Sequence, residues 1–219
     1  MILAIDTSVG TAVAVVEDDG VVLAERTSEN PLGHAEVIGA LLQDALAAAS
    51  ASPGSNGEAL AYVAAGMGPG PFTGLRVGIA AARAFALGRG IPVVPVASHD
   101  AVALDVFLGA ALADSEVARF AVVTDARRRE FAFTVYDGLD DDGLPVRATE
   151  PALSPRAELD ARLADLGAER RDARAIPAVM LGTVAGRAVA AGRTTASTEP
   201  LYLRSPDVTM PHGPKRVTA

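Results

Sequence analysis

Apolar positions come in short blocks at the start of the chain. "MILAID", "TAVAVVE" and "GVVLAERT" are apolar runs, with a turn at "DDG" between the second and third. They predict three consecutive strands, the last two joined as a hairpin. The pattern then changes. In "GHAEVIGALLQDALAAAS", Ile38, Leu41, Leu42, Ala45 and Ala49 recur at helical spacing. "SASPGSNG" reads as a loop and "LAYVAAG" as a strand. A second helix is predicted from Thr73 to Gly88, with Thr73 as N-cap and Gly88 and Gly90 marking its end. "IPVVPV" predicts a strand, and Ser98 caps a further helix running to about Ala113.

The second half starts the pattern again. "ARFAVVTDA", "REFAFTVYD" and the weaker "LPVRATE" predict three strands, and a helix is expected from Ser154 or Pro155. "AIPAVMLG" then reads as a strand and "TVAGRAVAAG" as a short helix. The order β-β-β-α-β-α occurs twice, with a boundary between Ser98 and Ala118. This gives a first lobe over 1–100, a second over 101–207 and a polar, proline-rich tail over 208–219 expected to be mobile. The duplication is the signature of the α/β fold of the actin-like, sugar-kinase and Hsp70-type ATPases (ASKHA).

Composition narrows the functions open to such a fold. With 219 residues, half of them hydrophobic, the chain can bury a full core. It has no cysteine, which removes disulfides, thiolate metal sites and a cysteine nucleophile and suits the cytoplasm. A net charge of −8 disfavours an unaided grip on nucleic acid, and 4% aromatics disfavour a base-stacking platform. The longest apolar stretch, around Ile79 to Leu87, is interrupted by Arg83 and is too short to span a membrane. "MILAIDTS" lacks a basic leader, so no signal peptide and a cytoplasmic location are expected.

The candidate chemistry is mostly negative. The glycine run "GMGPGPFTGLRVG" is not a P-loop, because Leu75 and Arg76 follow Gly74 where Lys-Ser or Lys-Thr is required. Pro69 and Pro71 cannot donate backbone hydrogen bonds, so a rigid strand-to-helix turn is the expected role. In the ASKHA fold, phosphates sit between two hairpins. In the first, "DTSVGTA", Asp6, Thr7 and Gly10 read as remnants of a phosphate loop, although Asp before Thr-Ser is also ordinary turn chemistry. The second, "TDARRREFA", offers Arg127, Arg128 and Arg129 where glycine would let a phosphate approach. His34, His99 and His212 lie in separate segments, and no G-x-S-x-G elbow occurs. No catalytic residue and no metal site are assigned.

What remains is surface. On the second helix, Leu75, Ile79, Ala82 and Ala86 form one stripe and should face the lobe's own sheet. Val77, Ala80, Ala84 and Leu87 lie opposite, and Gly74, Gly78 and Ala81 form a small-residue edge. A helix apolar on both sides is buried on both. The expected partner face combines His34, Glu36, Ala40, Gln43 and Ala47 of the first helix with Arg76, Val77, Gly78, Ala80, Ala81, Ala84 and Leu87 of the second. The alternative is that the two helices merely cover each other.

"MILAIDTS", "GPGPFTGLRVG", "TDARRREFAF" and "EPLYLR" together resemble the TsaB (YeaZ) family, over Met1 to about Asp207. The resemblance implies a non-catalytic scaffold for a TsaD-type subunit. That subunit holds the metal and transfers a threonylcarbamoyl group to N6 of the adenosine beside the anticodon, in tRNAs reading codons that start with A. It further implies a TsaE-type ATPase partner, a homodimer of the chain alone through its first-lobe helices, and tRNA contact only through the complex. No cofactor is implied for this chain itself, with ATP and metal on its partners. In the catalytic relatives two histidines four apart ligate metal. Here His34 stands at the first position and Ile38 at the second, so His34 is expected to be a capping or solvated residue at the helix start. A nucleotide-hydrolysing ASKHA enzyme, a glycopeptidase-like hydrolase and a tRNA-binding module are the competing readings. The arginine-filled second hairpin and the isoleucine at 38, where the second metal-ligating histidine would stand, argue against the two enzymes, and the acidic charge against the third.

Overall fold

A computed structural model describes residues 1–30, 33–52 and 59–204. The 208–219 tail lies outside them. The first half forms β1 (Ile2–Asp6), β2 (Thr11–Val16), β3 (Val22–Ser28), α1 (His34–Ala51), β4 (Tyr62–Gly66), α2 (Phe72–Arg89), β5 (Val93–Val96) and α3 (Ser98–Leu112). The second half forms β6 (Phe120–Asp125), β7 (Glu130–Leu139), β8 (Pro145–Arg147), β9 (Ala152–Pro155), α4 (Leu159–Asp165), β10 (Glu169–Asp172) and α5 (Ala178–Ala190).

The first sheet has the order β3-β2-β1-β4-β5, antiparallel across β1–β2–β3 and parallel across β1–β4–β5. Strands β1, β2 and β4 are buried along their full length, which explains why they read as continuous apolar runs rather than as alternating ones. The second sheet repeats the plan as β10-β6-β7-β8, with β9 also pairing with β7. Its third strand is therefore split: β8 pairs with the end of β7 and β9 with its beginning.

The helices show why the two halves form one body. On the outer face of the first sheet, α1 and α2 cover Leu3, Ile5, Val13 and Val15. On its inner face, Ile2, Ala4, Ala14 and Val16 are covered by α5, which comes from the second half. Reciprocally, α3 follows the first sheet but packs Ala103 on Phe120, Val122 and Tyr136 of the second. Helices α3 and α5 also pack on each other. On the far side, α4 inserts Leu159 and Leu163 against Ala121, Val123, Phe133 and Val135. The layers run α1/α2, first sheet, α5/α3, second sheet, α4, consistent with an ASKHA-type α/β fold.

Four expectations are corrected. "AIPAVMLG" is not a strand but opens α5, with Pro177 as its N-cap. A short apolar run does not distinguish a strand from a buried helix, and Gly182 and Gly186 let this helix press onto Val16 and Ile2. The parallel strand is instead the charged "ERRD" of β10, an edge strand whose exposed positions carry no apolar signal. Ser154 and Pro155 end β9, and α4 begins later at Leu159. Neither predicted N-cap holds: α2 starts at Phe72 with Pro71 as its cap residue, not Thr73, and Ser98 is the first residue of α3, after Ala97 as N-cap.

Candidate functional site

The first hairpin turn and the glycine run fit into each other. Asp6, Thr7 and Ser8 are all buried, and each side chain enters a place where a glycine lacks its Cβ. A Cβ on Gly66 would stand 1.9 Å from Asp6 Oδ2, and one on Gly78 would stand 2.2 Å from Thr7 Oγ1. On Gly70 it would stand 2.8 Å from Ser8 Cα, and on Gly74 2.8 Å from the Thr7 carbonyl. The Thr7 hydroxyl donates to the Gly74 carbonyl at 2.7 Å and accepts from the Gly78 N–H at 3.1 Å, pinning the turn to the backbone of α2.

Asp6 is equally committed. Its Oδ1 accepts the Ser8 N–H at 2.7 Å, and its Oδ2 accepts the Ser98 hydroxyl at 2.5 Å and the Ser8 hydroxyl at 3.1 Å. Ser98 accepts in turn from the Gly68 N–H at 3.1 Å. The end of β1, the glycine run and the start of α3 therefore share one buried network. Desolvation pushes the Asp6 carboxyl above the usual carboxylate range, partly offset by these donors. Gly10 meets β3, where an added Cβ would lie 2.6 Å from the Ser28 carbonyl.

The second hairpin is built differently. Arg127, Arg128 and Arg129 have φ values of 62°, 50° and 64°, three successive left-handed residues that are not glycine. Each costs roughly 1–2 kcal/mol of backbone strain. Asp125 holds the turn: its Oδ1 accepts the Arg127 N–H at 2.7 Å and Arg156 Nη2 at 2.8 Å. Beside it lies a mostly apolar cavity of about 220 Å³ between Pro69–Phe72 and Thr124–Arg128, closed by Tyr202, Leu203 and Arg204.

The ASKHA fold implies ATP phosphates between these hairpins, and the residues present do not fit them. The Ser8 amide is spent on Asp6 and the Asp6 carboxylate is buried, so the first hairpin turns no free amide or carboxylate to a phosphate, while on the second Arg127 and Arg128 line the cavity.

On the outer helices, Glu36, Ala40, Gln43 and Ala47 of α1 and Arg76, Ala80, Ala84 and Leu87 of α2 are exposed, Leu87 to 85%. Val77 and Ala81 are half-buried. Two residues expected on this face are not there. Gly78 is buried against Thr7, so its lack of a side chain serves packing within the fold. His34 is buried as well, its Nδ1 sharing a 2.8 Å hydrogen bond with Thr11 Oγ1 and its ring packed near Gly74. It is neither solvated nor a cap, because Gly33 occupies the N-cap position of α1. The stripe of Leu75, Ile79, Ala82 and Ala86 is buried on the first sheet as expected.

The sequence profile of TsaD, tRNA N6-adenosine threonylcarbamoyltransferase, matches residues 19–159. An uncharacterized protein of Mycobacterium tuberculosis is 39% identical over 94% of this chain and 92% of its own. The tRNA threonylcarbamoyladenosine biosynthesis protein TsaB of Escherichia coli is 33% identical over 70% of this chain and 62% of its own. A solved structure from Pseudomonas aeruginosa, described as similar to peptidase YeaZ, superposes with a TM-score of 0.70 at 25% identity, covering 93% of this chain and 99% of that one. The chain belongs to the TsaD family and, within it, to the TsaB (YeaZ) group. YeaZ of Pseudomonas aeruginosa shares its fold, with a TM-score of 0.69 at 23% identity over 92% of this chain and 99% of that one.

Within a TsaD-family chain the first histidine of α1 invites a metal reading. His34 is turned inward onto Thr11, and Ile38 one helical turn on is a core residue with no ligating atom. Among the described residues, no group of three or more His, Cys, Asp or Glu side chains stands close enough to hold a metal ion. None of the described helices is long and apolar enough to cross a membrane.

Sequence reasoning missed a further buried polar cluster at the start of α3. Asp100 Oδ1 accepts Arg147 Nε at 2.8 Å and the Tyr136 hydroxyl at 2.7 Å, and Arg147 Nη2 closes a second bond to Asp100 Oδ2. Next to it, His99 bridges Thr134 and Thr124 with its two ring nitrogens, at 2.8 and 2.9 Å. These residues lie far apart in sequence, and "SHD" after a strand signals only a helix start. They join α3 to the second sheet.

Proposed function

We propose that this chain is a non-catalytic subunit of the machinery that makes threonylcarbamoyladenosine in tRNA, acting as scaffold and activator of a TsaD-type transferase. The observation carrying this reading is the interlock of Asp6, Thr7 and Ser8 with Gly66, Gly70, Gly74 and Gly78. The side chains of the first hairpin that would face phosphate in a nucleotide-binding relative are here committed to the chain's own glycine run. On this reading the chain works without a nucleotide or metal of its own. Those belong to the TsaD-type subunit and to a TsaE-type ATPase, all in the cytoplasm.

The exposed stripe of Arg76, Ala80, Ala84 and Leu87, beside Glu36, Ala40, Gln43 and Ala47, is the contact face for the TsaD-type partner. A second copy of the chain takes the same face when the partner is absent. The net charge of −8 leaves tRNA phosphate contacts to basic partners, so this chain meets tRNA through the complex.

The test is reconstitution. Threonylcarbamoyladenosine formation on tRNA is measured with the TsaD-type and TsaE-type subunits, with and without this chain. The expected outcome is modification that depends on the chain, together with ATP hydrolysis by the purified chain alone no greater than buffer. Steady hydrolysis by the isolated chain that Asp6→Ala abolishes would replace the scaffold with a nucleotide enzyme.

A further inference from the structure

The segment after α5 does not simply trail away. Residues 193–204 begin on the second half, where Arg193 Nη1 meets Asp140 and Asp142 at 2.5 and 2.8 Å and Arg147 Nη2 donates to the Thr195 carbonyl at 3.1 Å. The segment then crosses to the first half. Thr195 Oγ1 reaches the Pro95 carbonyl at 3.4 Å, Arg83 Nη2 donates to the Thr198 carbonyl at 2.6 Å, and the Leu201 N–H donates to the Met67 carbonyl at 2.7 Å. Tyr202 lies on Phe72 with ring centroids 4.8 Å apart and accepts Arg76 Nε at its hydroxyl, 3.2 Å away. The guanidinium of Arg76 in turn sits 3.9 Å above the Phe72 ring. Finally the segment returns to the second half, where Arg204 pairs with Glu130 at the start of β7.

We infer that residues 193–204 are an interlobe clasp, which wraps the β5–α2 edge of the first sheet and closes at both ends on the second. Any opening of the two sheets about the α3–α5 contact must release one end. The lobes are thereby held at one angle, and the cavity beside the second hairpin keeps its wall of Tyr202 and Arg204. The inference goes beyond the scaffold reading, and its test does not involve tRNA modification, so either can fail alone.

The absence of cysteine allows site-specific spin labels on an otherwise unreactive chain. Ser50→Cys on α1 and Ala164→Cys on α4 are exposed positions on the two outer faces. Interlabel distances are measured by pulsed EPR in the full-length protein, diluted with unlabelled chain to suppress intermolecular pairs. The expected result is one narrow distribution for the parent. Arg204→Ala and Tyr202→Ala should broaden it and add longer distances, with far-UV circular dichroism unchanged. The exchange Arg204→Glu with Glu130→Arg should restore the narrow peak, which a general loss of folding would not do. A parent distribution that is already broad, or variants that match the parent, would overturn the clasp. A charge exchange that fails to rescue would overturn the Arg204–Glu130 closure.

Discussion

Single buried residues carry much of this fold's specificity, and His99 is the one whose chemistry is easiest to read out. Full burial and the nearby Arg147 charge push its pKa down to about 3. The neutral ring suits its site, because one nitrogen donates and the other accepts between two threonine hydroxyls. In the unfolded chain the ring titrates near pH 6.5. As pH falls from 6.5 towards 3, the unfolded state therefore takes up a proton that the folded state refuses. Stability present above pH 6.5 is lost over that window, by on the order of 1.4 kcal/mol per pH unit. Asp6 and Asp100 act in the opposite sense. Burial raises both carboxyls, so the folded state holds their protons better above pH 3.8 and gains stability as pH falls through that range. Comparison with His99→Gln separates the two effects. Urea midpoints at pH 7.5, 6 and 4.5 should show the parent more stable at pH 7.5, with the gap closing as the pH drops. A gap independent of pH would mean that the folded ring titrates normally. Nothing in "SHD" foretells this residue's setting, because Thr124 and Thr134 reach it only through the packing of α3 on the second sheet.

At the scale of elements, α2 shows what the sequence reveals and what it conceals. Its apolar stripe follows from periodicity and lies on the first sheet as that spacing predicts, while on the outer side Ala80, Ala84 and Leu87 are exposed and Val77 is half-buried against the core. The role of its glycines does not follow, because glycine signals close approach without naming what approaches. Gly78 reads equally well as a helix-contact position for a partner or as a seat for Thr7, and only the long-range placement of the first hairpin decides. The two sides of α2 therefore have different consequences. Gly78→Leu forces a side chain into the space of Thr7 and should lower stability by about 1–3 kcal/mol or more, the usual cost of overpacking. Ala84→Glu changes an exposed position and should stay within about 0.5 kcal/mol in a thermal melt. In sedimentation with the TsaD-type partner the order reverses: Ala84→Glu should weaken association while remaining fully folded. Normal association by that variant would remove this face from the interface. The strands and helices that sequence periodicity misplaced, β10 and the start of α5, fail for the opposite reason. Charge hides an edge strand, and uniform apolarity hides the period of a buried helix.

At the scale of the molecule, the duplicated pattern is legible as two halves, but their mutual dependence is not. The repeat suggests a cut between Ser98 and Ala118, whereas the packing joins what a cut there would separate. The inner face of the first sheet presents Ile2, Ala4, Ala14, Val16 and Ala64, and Leu181, Ala185 and Ala188 of α5 cover it. Without the second half that face would be open to water, at roughly 25 cal/mol for each Å² of apolar surface left unburied. In exchange, α3 would lose Phe120, Val122 and Tyr136 and strand the buried His99 and Asp100 without their partners. A fragment of residues 1–115 should therefore not behave as an independent domain. Expressed alone, it should bind a hydrophobic dye, lack a cooperative thermal transition and aggregate. Refolded together with residues 116–219, it should recover one sharp transition and lose the dye, because the α3–α5 exchange needs only that both helices are present. The intact chain should melt in a single step by circular dichroism and by calorimetry alike. A soluble 1–115 fragment with its own cooperative melt would show instead that the first sheet is self-sufficient and that α5 is an accessory layer.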